Sequence, residues 1–185
     1  TEVFEVKYFE NKAYLAQSPQ FYKQMMVGAG FERVFEIGHA YRAEEHNTNR
    51  HLNEYVSMDL EMGFIENEFD IMNLEENLLK FILNSLRIKG KEYLELLKVE
   101  LPVIYEEIPK IEFNEAIEIL KEQYNKNDLD GDLDPEAEKL LYKYAKEKLN
   151  SDFLFLTNYP RKKDQCTQCL KERRELIVLI YCLGE

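Results

Sequence analysis

An α+β fold is predicted for this 185-residue chain by three features. Period-two alternation runs through "ERVFEIGHAYRAE" (32–44) and again through "NEYVSMDLEMGFI" (53–65), the pattern of two antiparallel strands. From about 66 to 150 the apolar residues switch to helical spacing. Beyond them "DFLFLTNY" (152–159) reads as a buried strand.

The elements follow in order. "VFEVKYF" (3–9) mixes β-branched and aromatic residues and predicts a strand. The turn "ENK" leads to a second strand, "AYLAQ", and so to a hairpin. "SPQFYKQMMVGAGF" (18–31) predicts a helix with Ser18 as N-cap, Pro19 at the first helical position, and Gly28 and Gly30 ending it. Met25 and Met26 are assigned to the core, and Phe21 to helix packing in preference to ligand contact. In the two alternating strands, Phe35, Ile37 and Tyr41 share one face, and Val34, Glu36, Gly38, Ala40 and Arg42 the other. Val56, Met58, Leu60 and Met62 form an apolar face opposite the polar Tyr55, Ser57, Asp59 and Glu61. A carboxylate row on the inner face of a sheet requires water, cations or a ligand. "ENEFDIMNLEENLLKFILNSL" (66–86) predicts a helix with Phe69, Met72, Leu79 and Leu83 on one side, broken by "RIKGKEY". "IPKIEFNEAIEIL" (108–120) opens another helix, capped at Asn114. A last helix takes Asp134 as N-cap and Pro135 at N1 and runs to Leu149.

Hydrophobic content of 45% with 12% aromatic supports a folded core. A net charge of −12 and a pI near 4.9 repel phosphates, so nucleic acid must meet a local basic patch or another domain. No apolar run approaches the roughly 20 residues of a membrane helix, and "TEVFEVKYFE" lacks the basic-then-apolar order of a signal peptide. The chain starts without Met, inside a strand, and is read as cut from something longer. Cys166, Cys169 and Cys182 make no disulfide framework, so a cytoplasmic location is expected. "CTQC" lacks the second ligand pair of a zinc site, and "DLDGDLD" (128–134) lacks the spacing of a calcium loop; it is read as a solvated acidic approach to a helix. Back-translated in a shifted frame, residues 164–185 read through to "TNSFDLLFRG", and the tail is expected to be a frameshift product.

The remaining feature is the connection "YRAEEHNTNRHLNEY" (41–55), rich in polar groups and carrying Arg42 and Arg50. Arginine suits bidentate contact with carboxylate or phosphate, and two on one hairpin can clamp a polyphosphate. A solvated hairpin with surface ion pairs is the alternative.

Residues 14–64, with "QSPQFYKQ" and "FEIGHAYRAEEHNTNRHLNEYVSMDLEM", closely resemble the catalytic domain of class II aspartyl–tRNA synthetases, particularly the archaeal type, and the resemblance extends over about 1–160. It implies a class II antiparallel sheet with flanking helices, incomplete over residues 1–163, with a helical insertion at about 66–150. The implied reaction joins L-aspartate to ATP as aspartyl-adenylate and then passes the aspartyl group to tRNA. By the same resemblance Arg42 bridges the amino acid's α-carboxylate and the α-phosphate as the catalytic residue, and Ala43 and Glu44 lie at the adenine end. Arg50 and His51 hold the β- and γ-phosphates, with Leu52 beside them. Gln20, Phe21, Tyr22 and Lys23 line the aspartate pocket, Ser18 assists, and Asp59 accepts the substrate ammonium. Lys23 favours a side-chain carboxylate over an amide. Mg²⁺ is implied, with its ligands beyond residue 185, as is a homodimer in the intact enzyme; tRNA(Asp) is the implied partner, with tRNA(Asn) left open. The chain alone is expected to be inactive. The alternatives are an asparaginyl–tRNA synthetase, a synthetase-like amide-forming enzyme that needs no tRNA, or an inactive synthetase-like paralogue serving as a binding module.

Overall fold

The computed structural model describes residues 3–43, 45, 52–129 and 133–159. The chain divides into two compact units, Thr1–Asn67 and Glu68–Glu185.

The first unit opens with a hairpin of β1 (Glu5–Tyr8) and β2 (Asn11–Tyr14), paired antiparallel with Glu5 opposite Tyr14. Both strands are shorter than their sequence signatures, and the turn falls on Phe9 and Glu10, with Phe9 at a φ of 53°. Helix α1 (Gln20–Gly28) follows. Pro19 occupies the N-cap position, and the Gln20 N–H donates to Ser18 Oγ at 3.2 Å, so the Ser18 hydroxyl serves the helix start from one residue further out than predicted. The chain leaves α1 through Gly30 at a φ of 102°, a left-handed conformation that glycine adopts without a Cβ clash.

Strands β3 (Arg33–Tyr41) and β4 (Glu54–Met62) pair antiparallel over their whole length, with Glu36 opposite Asp59, Gly38 opposite Ser57 and Tyr41 opposite Glu54. Helix α1 packs on both strands. Gly63 admits it: a Cβ there would lie 2.6 Å from Val27 Cγ1. The helix covers the polar face of the hairpin, because its Lys23 reaches Asp59. Phe35, Ile37, Val56, Met58 and Leu60, on the opposite face, are exposed. Among the described residues of this unit, Ala40 is the one buried hydrophobic side chain. The core assignment of Met25 and Met26 is thereby corrected. Both are exposed, and Phe21 is 81% exposed, because the surface α1 turns to the sheet is the one carrying Lys23.

The second unit holds the apolar core. It contains α2 (Glu68–Lys89), α3 (Lys91–Leu97), β5 (Lys110–Glu112), α4 (Phe113–Tyr124), α5 (Pro135–Lys148) and β6 (Phe155–Thr157). The predicted break at "RIKGKEY" shrinks to Gly90, and α3 begins at once. The stretch 66–150 is not wholly helical: Lys110–Glu112 forms β5, which pairs parallel with β6, Ile111 opposite Leu156. The helix expected to cap at Asn114 starts at Phe113 with Glu112 as N-cap, since the strand runs straight into it. Asn125 ends α4 at a φ of 54°, a left-handed cap position that Asn tolerates. Asp134 Oδ1 accepts the Ala137 N–H at 2.7 Å, which bears out the predicted cap of α5. Ala137, Leu141 and Ala145 recur every four residues along α5, and all are buried against α4 and β6 residues such as Leu120 and Leu156. A second cluster joins Met72 and Leu83 of α2 to Ile108, Phe153 and Phe155; Phe69, expected beside them, is exposed. Fully burying a side chain of this size contributes about 1.5–3 kcal/mol.

The acidic run before α5 is explained from within the chain. Lys126 Nζ lies 2.9 Å from Asp128 and from Asp134 and 2.8 Å from Glu136. Residues 130–132 of that run, "CTQC", Cys182 and the tail 164–185 lie outside the described residues.

Candidate functional site

The polar face of β3–β4 gathers the candidate residues because a strand's period of two places Ser57, Asp59 and Glu61 on one side. Lys23, one turn into α1, is buried at 4% exposure over this row. Its Nζ donates to Asp59 Oδ1 at 3.1 Å and to the Leu60 carbonyl at 3.5 Å, and lies 3.6 Å from Glu61 Oε2. Two carboxylates thus face the buried ammonium.

Each carboxylate has a second tie. Gln20 Nε2 donates to Glu61 Oε2 at 3.4 Å. The Ser57 hydroxyl donates to Asp59 Oδ2 at 2.5 Å. That hydroxyl, then the Lys23 hydrogen bond and the charges of Lys23 and Arg42, hold the Asp59 carboxyl below the usual carboxylate range against the opposing effect of burial. Asp59 therefore stands as an anion bound on both oxygens.

Arg42 sits where β3 ends. Its N–H donates to the Asn53 carbonyl at 2.9 Å, which continues the hairpin one pair beyond Tyr41 and Glu54. Its guanidinium carbon is 5.7 Å from the centre of the Tyr55 ring, a cation–π distance. The Tyr41 N–H donates to the Ala16 carbonyl at 2.8 Å, which ties the segment before α1 to this strand end. Burial, and then the Glu54 charge and hydrogen bond, push the Tyr41 hydroxyl upward.

The site residues named from the sequence thus divide three ways. Ser18, Gln20, Lys23 and Asp59 meet in one connected group, and Arg42 is near enough to act on Asp59 through its charge. Phe21, Tyr22 and Leu52 are exposed, and Ala43 is partly buried. Glu44, Arg50 and His51 lie outside the described residues. Sequence reasoning missed Glu61 as a partner of Lys23 and Gln20, Ser57 as a partner of Asp59, and Tyr55 as a neighbour of Arg42. The period-two alternation already put Glu61 and Ser57 on the Asp59 face, and that was the available signal.

Among the described residues no three or more His, Cys, Asp or Glu side chains are grouped to hold a metal ion, so no step is assigned to Mg²⁺ here. No helix among them is long and apolar enough to cross a membrane.

An antiparallel hairpin whose covered face pairs a buried lysine with carboxylates, with an arginine at the strand end, suits a ligand that carries both ammonium and carboxylate. Residues 1–180 match the family model described as tRNA synthetases class II (D, K and N), and the chain belongs to that family. It is 54% identical over 163 residues to an aspartate–tRNA(Asp/Asn) ligase of Aeropyrum pernix, an alignment covering 87% of this chain and 37% of the relative. An aspartyl-tRNA synthetase from Entamoeba histolytica superposes with a TM-score of 0.72 at 35% identity, over 80% of this chain and 31% of that one. The asparaginyl-tRNA synthetase from Pyrococcus horikoshii, solved with asparaginyl-adenylate, gives 0.68 at 31% identity, over 85% and 36%. The chain spans about a third of the length of these relatives.

Proposed function

We propose that the chain forms the amino-acid and ATP-positioning part of an aspartate–tRNA ligase. The observation that carries the reading is Lys23, a buried cation poised over Asp59. Aspartate brings a side-chain carboxylate for Lys23 and an ammonium for Asp59. Its arrival exchanges the Lys23–Asp59 ion pair for two pairs across the ligand. Asparagine offers Lys23 only a neutral amide, so the ammonium would leave its anionic partner without an equivalent replacement. The structural likeness to an asparaginyl-tRNA synthetase keeps that enzyme as the competing reading, and Lys23 argues against it.

In the proposed first step, an α-carboxylate oxygen of aspartate attacks the α-phosphorus of ATP. The bond from that phosphorus to the bridging oxygen breaks, and pyrophosphate leaves. Arg42, at the end of a strand rather than on the loop, stabilises the negative charge shared between carboxylate and phosphate. Arg50 and His51 belong to the same reading as holders of the outer phosphates, with Glu44 and Ala43 toward the adenine. The second step passes the aspartyl group to tRNA(Asp), and transfer to tRNA(Asn) is compatible with the name of the Aeropyrum relative. Homodimer formation and a cytoplasmic location belong to the proposal for the intact protein.

The test is amino-acid-dependent exchange of pyrophosphate into ATP by the full-length protein that carries this chain. Aspartate should support exchange and asparagine should not. Exchange with asparagine in preference to aspartate overturns the assignment. Charging of separated tRNA(Asp) and tRNA(Asn) then decides the tRNA range.

A further inference from the structure

Ser57 has a place in this site that goes beyond the residues already given roles. It stands on β4 two residues before Asp59, on the same covered face. The residue opposite it in the hairpin is Gly38, which brings no side chain of its own to that position. Glu36, directly opposite Asp59, is a second carboxylate on this face. Glu36 is exposed and its Oε1 lies beside Gly38, whereas Asp59 is held by two donors: the Ser57 hydroxyl on Oδ2 and the Lys23 ammonium on Oδ1.

These two donors differ once a ligand binds. Resting on the proposed aspartate site, Lys23 must turn toward the ligand's side-chain carboxylate, which weakens its hold on Asp59. Ser57 has no such competing duty. We propose that Ser57 is a positioning residue that keeps the Asp59 carboxylate aimed while Lys23 changes partner, and thereby sets the affinity for the amino acid without acting on ATP. The hydroxyl donates its one proton to Asp59, and its short side chain, two residues away on the same strand, needs no backbone movement to do so.

The experiment compares wild type, Ser57→Ala and Ser57→Thr in the full-length protein, by pyrophosphate exchange and by carbon-13 titration of the Asp59 carboxyl. Ser57→Ala should raise the KM for aspartate about tenfold, the order of a hydrogen bond to a charged group, and leave the KM for ATP and kcat within about twofold. Ser57→Thr, which keeps the hydroxyl, should return the aspartate KM toward wild type. The Asp59 titration midpoint should rise in Ser57→Ala and not in Ser57→Thr. An unchanged aspartate KM in Ser57→Ala, equal damage in both variants, or a matching rise in the KM for ATP overturns the proposal. A wild type without exchange on any amino acid refutes the functional reading instead. In that event the titration alone judges Ser57, and an unmoved midpoint overturns its role.

Discussion

Replacing Lys23 with methionine removes one charge and keeps most of the packing volume. The ammonium is almost wholly buried and faces Asp59 and Glu61, whose side chains are 25% and 27% exposed. Breaking a fully buried ion pair by deleting one partner costs about 3–5 kcal/mol, because the other charge is stranded. Here both carboxylates touch water, and Asp59 keeps the Ser57 hydroxyl, so Lys23→Met should cost about 2–3 kcal/mol. Lys23→Met combined with Asp59→Asn removes one of the stranded charges and should recover about 1–2 kcal/mol of that loss. The assay is hydrogen exchange of the β4 amides, which reads the opening of this unit separately from the core around Leu141. The pH dependence has a defined sign. The folded Asp59 pKa is lowered, so its contribution is present above the unfolded carboxylate value and is lost as pH falls through the lower folded one. Lys23→Met should flatten that dependence. Wild-type protection in the single variant, or strict additivity in the double, would refute the stated coupling.

The other predictions concern the second unit. Glu76, 7% exposed, accepts the Ile108 N–H at 3.0 Å and Lys80 Nζ at 2.6 Å. Burial alone would raise its pKa, but the Lys80 hydrogen bond, the Ile108 N–H and the charges of Lys80 and Lys110 hold it below the usual range. Glu76→Ala should cost about 3 kcal/mol and Glu76→Gln, which keeps an acceptor for Ile108, about 1–2 kcal/mol, read from urea midpoints. Both losses should shrink together on acidification below the ordinary glutamate range, as the wild-type carboxylate loses its charge, with the gap between the two variants unchanged. Leu141→Ala empties a fully buried position on α5 and should cost about 2–5 kcal/mol by the same measurement, with α4 and β6 amides losing protection together.

Legibility in the sequence tracked the distance over which each signal acts. Asp134 and Pro135 mark the start of α5 through contacts within one turn, and that start is found as predicted. The β3–β4 pairing was readable from alternation around one connection. β5 was not, because its three residues find their parallel partner in β6, more than forty residues on. Alternation also sorted the residues of β4 into two faces without saying which would be covered. The rule that apolar faces turn inward fails in the first unit, where the polar row lies under α1. For the same reason Lys23 was legible as chemistry but not as a buried residue, and Met25 and Met26 were wrongly assigned to a core. Both apolar clusters lie in the second unit, and one of them holds Met72 and Leu83 with Leu79 against them, three of the residues the sequence put on one side of that helix.

The segment between α3 and β5 carries a separate consequence. Residues 99–109 have neither helix nor strand. They are held from outside: Arg87 donates to the Pro102 carbonyl, Asp152 accepts the Val103 N–H, Lys80 donates to the Glu106 carbonyl, and Glu76 accepts the Ile108 N–H. Four side chains thus do for this strap what a neighbouring strand does for a sheet edge. Lys80 and Glu76 are bonded to each other, so those two fastenings loosen together, whereas Arg87 and Asp152 can each let go alone. A protease or a destabilising buffer should therefore find graded intermediates here, where a helix or a paired strand would give way as a whole.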